Sequence, residues 1–501
     1  MNLFYSPIVT YLPLLITLVI SNYMIALKLF AALCIIASGI TMYHFTYQIT
    51  KNRIIALFAG FFYMIAPYKL SNIYKRFAIG EFTAMVFTPL VFLGLYNLFN
   101  QDGKKHYYIA IGTIGLVLSH TVSTLYTAIF CALYIFFYIS KLKNKEIIKK
   151  CLINIIFILL VSAFFLVPFI EATSHAEYAI MNNEVMSTNS NYTWEKTISF
   201  KDFFIDSKIE NRIVFLIGLP TIIATILSVF VFKKVNKEYK ELYLVTFIFS
   251  LISLVMCTKL FPWLIMPNIL CKLQYPWRML GFFNFFISFV CGINLYLAIN
   301  SITKKDSIKV LITLIFVIFS VTNSVNIMSR FYTKDEMTDI KYQERILSNK
   351  KISCKIINRE YMPIKALYLQ NTYIKDRKDE TYVLQGNAEI VEENKENLTD
   401  IIKVKNISKD TILEFPYYYY VGYKITMIKE DGTTKEIEPI ESKNGFIAYI
   451  AKEDIEEATI KIEYVGTTVT YVSYIVSAIS LTMLICYIIY ENRKNVKYIK
   501  A

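Results

Sequence analysis

The chain has 501 residues, of which 55% are hydrophobic, 16% aromatic and only 18% charged. Soluble globular proteins carry about 25% charged and 45–50% apolar residues, so this composition argues against a soluble enzyme. With 15 glycines and 12 prolines, the chain is also neither collagen-like nor a disordered low-complexity sequence. The composition predicts a multi-spanning membrane protein.

The net charge of +14 does not indicate a nucleic-acid partner, because of where the charge lies. Residues 330–468 hold 22 Lys and Arg against 25 Asp and Glu, so the positive excess belongs to the apolar remainder of the chain. Basic loops beside apolar helices set orientation by the positive-inside rule, and no RNA- or DNA-binding module is visible. We therefore expect membrane lipid, and no nucleic acid, among the partners.

The eight cysteines indicate neither a disulfide framework nor a zinc site. None forms a Cys-x-x-Cys pair, and all but Cys354 lie in or beside apolar segments. We expect them to pack as small hydrophobic side chains. No cofactor is predicted, and nothing in the sequence supports a divalent metal. The N-terminus lacks a basic stretch followed by a small-residue cleavage site, so no removable signal peptide is expected.

Twelve apolar segments are predicted to be membrane helices. A span needs roughly 20 apolar residues, although shorter or broken helices are tolerated inside a bundle. The first segment can instead lie along the membrane interface. The segments are 7–21, 25–48, 54–67, 81–99, 107–120, 122–140, 151–170, 212–232, 242–258, 277–299, 308–328 and 469–490.

Six dense basic clusters fall on the same side of this predicted bundle. They lie at 51–53, 104–105, 141–150, 233–240, 304–309 and 493–500. The positive-inside rule makes that side cytoplasmic and places the C-terminal tail 491–501 there. The opposite, extracytoplasmic side then receives 68–80, the turn at 120, 171–211, 259–276 and 329–468.

Residues 329–468 are polar and show the period-two pattern of half-buried strands. Strands are predicted at 401–407, 411–420, 424–428, 435–440, 446–450 and 459–464. Asp431-Gly432 and Asn444-Gly445 are typical of hairpin turns, because these residues tolerate a positive φ. We predict a polytopic domain at 1–328, an extracytoplasmic β-sandwich at 329–468 and a final transmembrane helix at 469–490.

The junction 66–81 carries ionisable groups close to the predicted membrane. An ionised side chain is costly there unless it is paired or faces water, which makes Arg76 and Glu81 candidates for function. An Arg beside a helix N-terminus suits a phosphate or pyrophosphate, and Glu81 can orient that Arg or act as a base. The alternative is an interfacial anchor, with Lys69, Lys75 and Arg76 at headgroup level and Glu81 capping a helix.

Two further junctions carry candidate polar residues. His120, at a predicted helix break, can donate to a sugar hydroxyl or phosphate or shuttle a proton; alternatively it satisfies backbone groups of the turn. Arg278 ends the segment 274–278 and is either a phosphate ligand or a snorkelling anchor. Tyr275 and Trp277 beside it resemble an aromatic interface belt.

The loop 171–211 contains several carboxylates but only one tight acid–histidine spacing, Glu171 and His175. A single i, i+4 pair is weak evidence for a metal, so a solvated loop is the favoured interpretation. The chain has no phosphate-binding glycine loop, no His-Glu-x-x-His and no Gly-x-Ser-x-Gly. The motifs of soluble enzymes therefore give no support to a catalytic function.

Three stretches resemble the bacterial membrane family called 6-pyruvoyl-tetrahydropterin synthase-related. They are Leu57–Phe99, with Pro67, Tyr68, Asn72, Tyr74, Arg76, Glu81 and Pro89, then 118–120, and then 274–278. The tail is similar to the C-terminal β-domain of the related YfhO-type membrane glycosyltransferases, at 417–422, 431–432, 444–446 and the final helix.

This resemblance implies a GT-C-like bundle that uses a polyprenyl-phosphate-linked sugar on the outer face, with a cell-surface glycan as acceptor. It does not imply pterin chemistry. Carried over by position, Glu81 becomes the candidate catalytic residue. The residues expected to bind the substrate or its lipid phosphate are Tyr68, Lys75, Arg76, His120 and Arg278.

One departure from the resemblance bears on catalysis. GT-C enzymes keep a catalytic acid in the loop after their first helix, whereas this chain begins at Met1–Ile8, within the segment that follows that loop. We therefore expect the first helix and its acidic loop to be absent, and a degenerate enzyme is one interpretation. The alternatives are a transporter or flippase of lipid-linked saccharides, and a non-catalytic protein of envelope assembly.

Overall fold

The computed structural model describes residues 4–182, 185–186, 188–205, 213–330, 359–369, 372–396 and 399–500. They belong to two compact units. The helical unit comprises residues 5–162, 187–342 and 478–501, and the β unit comprises residues 1–4, 163–186 and 343–477. Residues 163–186 thus group with the strands.

Nineteen α-helices occur in the described residues. The first nine are α1 Pro7–Thr17, α2 Tyr23–Thr50, α3 Arg53–Ile65, α4 Pro67–Tyr74, α5 Ile79–Asn100, α6 Tyr108–Val117, α7 Thr121–Phe137, α8 Lys145–Val161 and α9 Ala163–His175. The others are α10 Ser190–Glu195, α11 Leu219–Ile226, α12 Ser228–Val231, α13 Lys237–Met256, α14 Asn268–Cys271, α15 Leu280–Ile302, α16 Asp306–Ser329, α17 Ile364–Tyr368, α18 Tyr373–Asp376 and α19 Thr468–Lys500.

Asparagine side chains begin many of the long helices. Asn22, Asn52, Asn144 and Asn236 precede α2, α3, α8 and α13, and each side chain accepts a hydrogen bond from a backbone N–H of the first turn. This satisfies donors that have no partner inside the helix. The asparagines between the apolar segments therefore fix where these helices start.

A multi-pass helical architecture is confirmed, whereas twelve membrane segments are not. Within the described residues six helices are long and apolar enough to span: α2, α5, α13, α15 with the turn before it, α16 and α19. Two pairs of shorter helices, α3 with α4 and α8 with α9, raise the number to eight if each pair is one broken span. The predicted segment 107–120 contains only the ten-residue α6. At 1.5 Å per residue such a helix covers about half of the roughly 30 Å hydrocarbon core.

The predicted segments differ in how much of their surface is covered by protein. In α5 and α15, 83% and 89% of the most apolar window is buried, against 28%, 17% and 22% in α2, α16 and α19. The last three leave rows of Leu, Ile and Val exposed. Extensive exposed apolar surface of this kind suits contact with lipid. The helical unit therefore has a buried pair of central helices and apolar outer ones.

Close packing at the centre depends on a glycine. Gly292 of α15 faces α3, and a Cβ added there would lie 2.8 Å from the backbone nitrogen of Ala59. That is closer than real Cβ contacts allow, so only glycine lets the two helices approach this far. The buried aromatic rings of Phe285 and Phe289 pack beside this contact against Phe45 of α2.

The β unit contains two antiparallel sheets with a common core. Its strands are β1 Tyr382–Gln385, β2 Glu389–Glu396, β3 Thr399–Ile407, β4 Ile412–Tyr418, β5 Tyr423–Lys429, β6 Thr434–Ile437, β7 Ile440–Glu441, β8 Phe446–Ile450 and β9 Ile455–Tyr464. The sheet orders are β1-β4-β8-β7 and β2-β3-β9-β5-β6. Ile402, Phe415, Met427 and Ile460, from strands of both sheets, are buried in one cluster, as in a sandwich.

The two predicted hairpin turns are confirmed. Gly432 lies between the paired strands β5 and β6, and Gly445 lies between β7 and β8, both with positive φ of about 80°. The alternation of residues did not reveal β1 and β2. In β2 only Ile390 and Glu393 are even half-buried, so this edge strand lacks the regular apolar face by which strands are recognised.

Candidate functional site

Proline shapes the first part of the site. Pro67 ends α3 and opens α4, and the two helices meet at a bend of 44°. After α4 the chain turns through Phe77, whose φ is +46°, and re-enters a helix at Ile79. Because Pro lacks an amide hydrogen and restricts the residue before it, a break at this position follows from the sequence. The bend faces Tyr68 and Asn72 of α4 toward the first turn of α5.

The carboxylate of Glu81 is buried and fully engaged. Its Oε1 accepts hydrogen bonds from the Tyr68 hydroxyl at 2.6 Å and from Asn72 Nδ2 at 2.8 Å. Its Oε2 accepts one from Arg76 Nη1 at 3.1 Å. A buried charge needs partners of this kind to be tolerated. In this arrangement Glu81 is an ion-pair partner with both oxygens occupied.

The guanidinium of Arg76 is held at several points. Its Nη1 also donates to Asn72 Oδ1 at 2.6 Å and lies 3.3 Å from the Tyr68 hydroxyl. The side chain remains 18% exposed. A guanidinium carries five N–H donors, and the hydrogen bonds of Arg76 to described residues all involve Nη1. The cation is therefore fixed in place with donors to spare.

The second predicted arginine reaches the same carboxylate from another part of the chain. Arg278 lies in the 3-10 turn Pro276–Met279 that precedes α15, and its Nε is 3.8 Å from Glu81 Oε2. Its Nη1 donates to the carbonyl of Leu273 at 2.8 Å. No acceptor among the described residues takes a hydrogen bond from Nε. Two cations thus converge on one anion, which leaves a net positive charge.

His120 lies against the beginning of α5. Its Nδ1 accepts from the backbone N–H of Ser123 at 3.2 Å, which caps α7. A Cβ added at Gly80 would lie 2.9 Å from the Ser119 carbonyl and 3.0 Å from His120 Cδ2, so glycine is required at this contact. The structure thus brings His120 beside the residue that precedes Glu81.

A cavity of about 1180 Å³ opens beside Arg76. Of the predicted site residues, Arg76 lines it, while Tyr68, Lys75, Glu81, His120 and Arg278 are not part of its described lining. Four of these residues lie close to Arg76 but away from the cavity: Tyr68, Glu81, His120 and Arg278. Lys75 is half-buried at the end of α4. Arg76 is therefore the point at which the buried cluster meets accessible space.

Aromatic rings form one part of the cavity lining. Tyr275 and Trp277 stack with ring centroids 4.5 Å apart, and Phe215 packs against Trp277 at 5.5 Å. The buried Trp277 Nε1 has no acceptor among the described residues. Tyr192 donates to the Tyr275 hydroxyl across 3.5 Å. Burial, followed by this bond, raises the pKa of Tyr192 to about 12, so the phenol stays protonated at neutral pH.

Charged residues from the loop after α9, together with Lys259 from the connection after α13, form another part of the lining. Lys196, Lys201 and Lys259 contribute cations, and Glu195 and Asp202 contribute carboxylates. Asp202 Oδ2 accepts from the backbone N–H of Ser199 and so helps to hold the loop. The sequence predicts a solvated loop in this region, and the spacing of its lysines does not indicate a common cavity. Tyr275 and Trp277 were recognised, but as an interface belt.

The side chains of the acid–histidine pair Glu171 and His175 are held by other groups of the chain. His175 Nδ1 bonds the backbone carbonyl of Glu171 at 2.9 Å, and a carboxylate oxygen of Glu171 accepts from Thr467. Within the described parts of the chain, no group of three or more His, Cys, Asp or Glu residues could hold a metal ion. Glu184, Asp206 and Glu210 of the same loop lie outside the described residues.

Comparison with known proteins identifies relatives without assigning an activity. An uncharacterized protein of Lactococcus lactis subsp. cremoris (strain MG1363) is 27% identical over 276 residues, which cover 52% of this chain and 44% of the relative. The match thus spans less than half of that protein. No solved structure matches this chain significantly. The model of one membrane-protein family, described as the 6-pyruvoyl-tetrahydropterin synthase related domain, matches residues 3–329, so the chain belongs to this family.

Proposed function

We propose that this protein binds a polyprenyl-phosphate-linked sugar in the cavity beside Arg76 and transfers the sugar to a cell-surface glycan, as a GT-C-like glycosyltransferase of the envelope. The observation that carries the proposal is the position of Arg76. It is a fixed guanidinium that lines a cavity of about 1180 Å³ together with a stacked Tyr–Trp pair.

The charge of the site favours a phosphate. Arg76 and Arg278 share the single carboxylate of Glu81, so an anionic ligand completes the charge balance. Guanidinium groups bind phosphate through paired hydrogen bonds. Because Glu81 is buried on the far side of Arg76, the guanidinium is oriented before the ligand arrives. Less ordering is then required on binding.

The aromatic pair favours a sugar next to that phosphate. Tyr275 and Trp277 present flat apolar faces and polar edges, which suit a molecule whose ring has both C–H and hydroxyl groups. A polyprenyl chain can extend along the apolar helices that the helical unit exposes. Phosphate, sugar and isoprenoid thus each have a chemically suitable surface.

Glu195, rather than Glu81, is the residue we propose as base. Both oxygens of Glu81 are occupied, whereas Glu195 lines the cavity and is exposed. In the transfer, Glu195 accepts the proton of an acceptor hydroxyl, whose oxygen bonds to the anomeric carbon. The bond between that carbon and the phosphate oxygen breaks, and Arg76 stabilises the departing polyprenyl phosphate.

The proposal includes an orientation in the membrane. Six basic clusters on the connections between apolar segments favour a cytoplasmic C-terminus and an extracytoplasmic position for residues 329–468. The cavity then opens on the outer side. A reporter fused after Lys395 tests the orientation, and a cytosolic reporter would contradict both the topology and an outer-face reaction.

A binding and transfer assay in nanodiscs tests the function. The purified full chain is given a radiolabelled polyprenyl-phosphate sugar and a cell-wall glycan acceptor. We expect Glu195→Gln to retain lipid binding and lose transfer, with Glu456→Gln, an exposed glutamate of β9 outside this cavity, as the control. Binding without transfer in the wild type, together with movement of the lipid across vesicles, would establish the flippase alternative. No binding in the wild type would leave a role in envelope assembly.

A further inference from the structure

A second basic cavity lies where the end of α5 meets the segment that joins α7 to α8. It encloses about 740 Å³ and is lined by Lys141, Lys143 and Lys150, with Asp102 and Glu146 as its acidic residues. We call it the lysine pocket. None of the residues that line the cavity beside Arg76 contributes to it, so the two sites are separate.

Two of its lysines are held by backbone carbonyl groups. Lys141 Nζ donates to the carbonyl of Phe99 at 2.6 Å, and Lys150 Nζ donates to that of Asp102 at 3.0 Å. Lys150 also packs over Gly103, where a Cβ would lie 2.6 Å from its Nζ. Each ammonium has three donors, and each of these carbonyl bonds uses one. The cations are therefore positioned with donors remaining.

Two of these lysines, Lys141 and Lys150, form no direct ion pair with a described carboxylate. Among the described residues, neither Lys141 nor Lys150 has a carboxylate oxygen within 4.0 Å, although Asp102 and Glu146 line the same pocket. The first turn of the 17-residue α8 also lies here, after the cap at Asn144. The dipole of this helix adds positive potential at its N-terminal end. The pocket as a whole therefore favours an anion.

The surface around the pocket is apolar. Phe136 and Phe137 at the end of α7 are 68% and 51% exposed, and Ile139, Ile148 and Leu152 are also exposed. Cations bordered by exposed apolar side chains are the arrangement expected for a lipid whose headgroup and chains are bound together. A soluble phosphate compound makes no use of that apolar border.

We propose that the lysine pocket binds the phosphate headgroup of an anionic membrane phospholipid, with the acyl chains lying along α7 and α8. The three lysines contact the phosphate, and the apolar side chains of the border contact the first methylene groups. The site is independent of the proposed sugar transfer, and its occupation stabilises the turn between α5 and α6 through Lys150 and Lys141.

Native mass spectrometry of the full chain, released from vesicles of phosphatidylcholine with 20% phosphatidylglycerol, tests the proposal. We expect the triple variant Lys141→Gln, Lys143→Gln, Lys150→Gln to retain at least about fivefold less phosphatidylglycerol than the wild type, because the cations that attract the anionic headgroup are removed. The matched control is Lys233→Gln, Lys237→Gln, Lys304→Gln, which removes the same charge from other basic connections.

Equal losses in both triple variants, or no preference of the wild type for phosphatidylglycerol, would overturn the proposal. Displacement of the lipid by millimolar glycerol phosphate would show that the site takes soluble phosphate and would also overturn it. If the pocket variant does not fold, Lys143→Gln alone is used, because it leaves both ammonium–carbonyl bonds in place. The single variant is then expected to retain about threefold less phosphatidylglycerol than the wild type. An unchanged amount of bound lipid would contradict the site.

Discussion

Two buried glutamates, one in each unit, are held by the same kinds of side chain. Glu81 of the helical unit accepts from Tyr68, Asn72 and Arg76. Glu414 of the β unit accepts from Tyr373 at 2.7 Å, Asn444 at 3.0 Å, Arg377 at 3.3 Å and Ser442 at 2.6 Å. In both units a carboxylate is removed from water and compensated by a phenol, an amide and a guanidinium.

The two arginines differ in what surrounds the part of the guanidinium that does not contact the glutamate. Arg377 is 4% exposed, and its guanidinium lies 4.8 Å from the ring of Tyr382 and 4.4 Å from that of Phe446. Arg76 is 18% exposed and lines a cavity. The cluster around Glu414, which we call the closed cluster, can only stabilise the β unit. The cluster around Glu81, which we call the open cluster, presents a fixed cation to the cavity. Access to the cation, and not the set of partners, separates a candidate site from a structural ion pair.

Removal of Glu414, the carboxylate of the closed cluster, should have the largest effect, which is on stability. Glu414→Ala leaves Arg377 buried without a counter-ion, and such a loss costs about 3–5 kcal/mol of stability. We expect the β unit to become sensitive to protease in the full chain at temperatures where the wild type resists. A variant that resists protease like the wild type would show that the ion pair in the β unit is not structural.

Removal of Arg76 should affect function and leave the fold in place, because Tyr68 and Asn72 still donate to Glu81 and Arg278 remains as its counter-ion. For Arg76→Ala we expect about 10- to 100-fold weaker binding of the polyprenyl-phosphate sugar, since a hydrogen bond to a charged group contributes about 1.5–3 kcal/mol. Cells should lose surface glycan decoration while protein abundance stays normal. Arg53→Ala, an exposed arginine outside the cavity, is the control. Unchanged decoration in the Arg76 variant would exclude Arg76 from the site.

Replacement of each glutamate by glutamine removes the charge of Glu81 or of Glu414 and tests which of the two affects ligand binding. Glu81→Gln keeps an acceptor for Tyr68 but removes the charge that orients Arg76. We expect ligand affinity to fall about tenfold, or roughly 1.4 kcal/mol, with little change in abundance. Glu414→Gln, made in parallel, should leave ligand binding unchanged. Equal effects of the two variants on binding would mean that Glu81 acts through general stability.

The sequence reveals the open cluster better than the closed one because of spacing. Tyr68, Asn72 and Arg76 recur every four residues and precede Glu81 closely, so one helix and one turn suffice to bring them together. The partners of Glu414 come from α18 and the residue that follows it, up to 41 residues before Glu414, and from the turn between β7 and β8, up to 30 residues after it. Only the pairing of strands, which local patterns do not specify, brings them together. Hydropathy likewise located the helices but did not show that several are interrupted.

The cavity beside Arg76 was the least predictable feature. Lys196 and Lys201 come from the connection after α9 and Lys259 from the one after α13, and their convergence depends on tertiary packing. Glu81 was recognised as an ionisable group near the membrane, but its lack of a free oxygen follows only from the observed hydrogen bonds. Residue type therefore indicated where chemistry could lie, and geometry decided which atoms remain available for it.

A third buried carboxylate, Asp400, gives the smallest of the expected effects and extends the comparison to an acid without an arginine. It lies on the inner side of β3, and neither of its oxygens accepts a hydrogen bond from the described residues. Burial, followed by the charge of Glu393, raises the pKa of this carboxyl from 3.8 to about 7. The folded state therefore binds a proton that the unfolded state releases, and stability falls as the pH rises from about 4 to 7.

Asp400→Asn should remove this loss of stability at higher pH, because an amide has no charge to bury. In the full chain we expect the variant to gain about 1 kcal/mol over the wild type at pH 8, or a few degrees in melting temperature. At pH 4 the two proteins should melt together, since Asp400 is then protonated in the folded state. An equal shift at both pH values would mean that the amide acts by packing. Asp400 would then not be a buried acid whose ionisation opposes folding, and the contrast with the arginine-paired glutamates would fail.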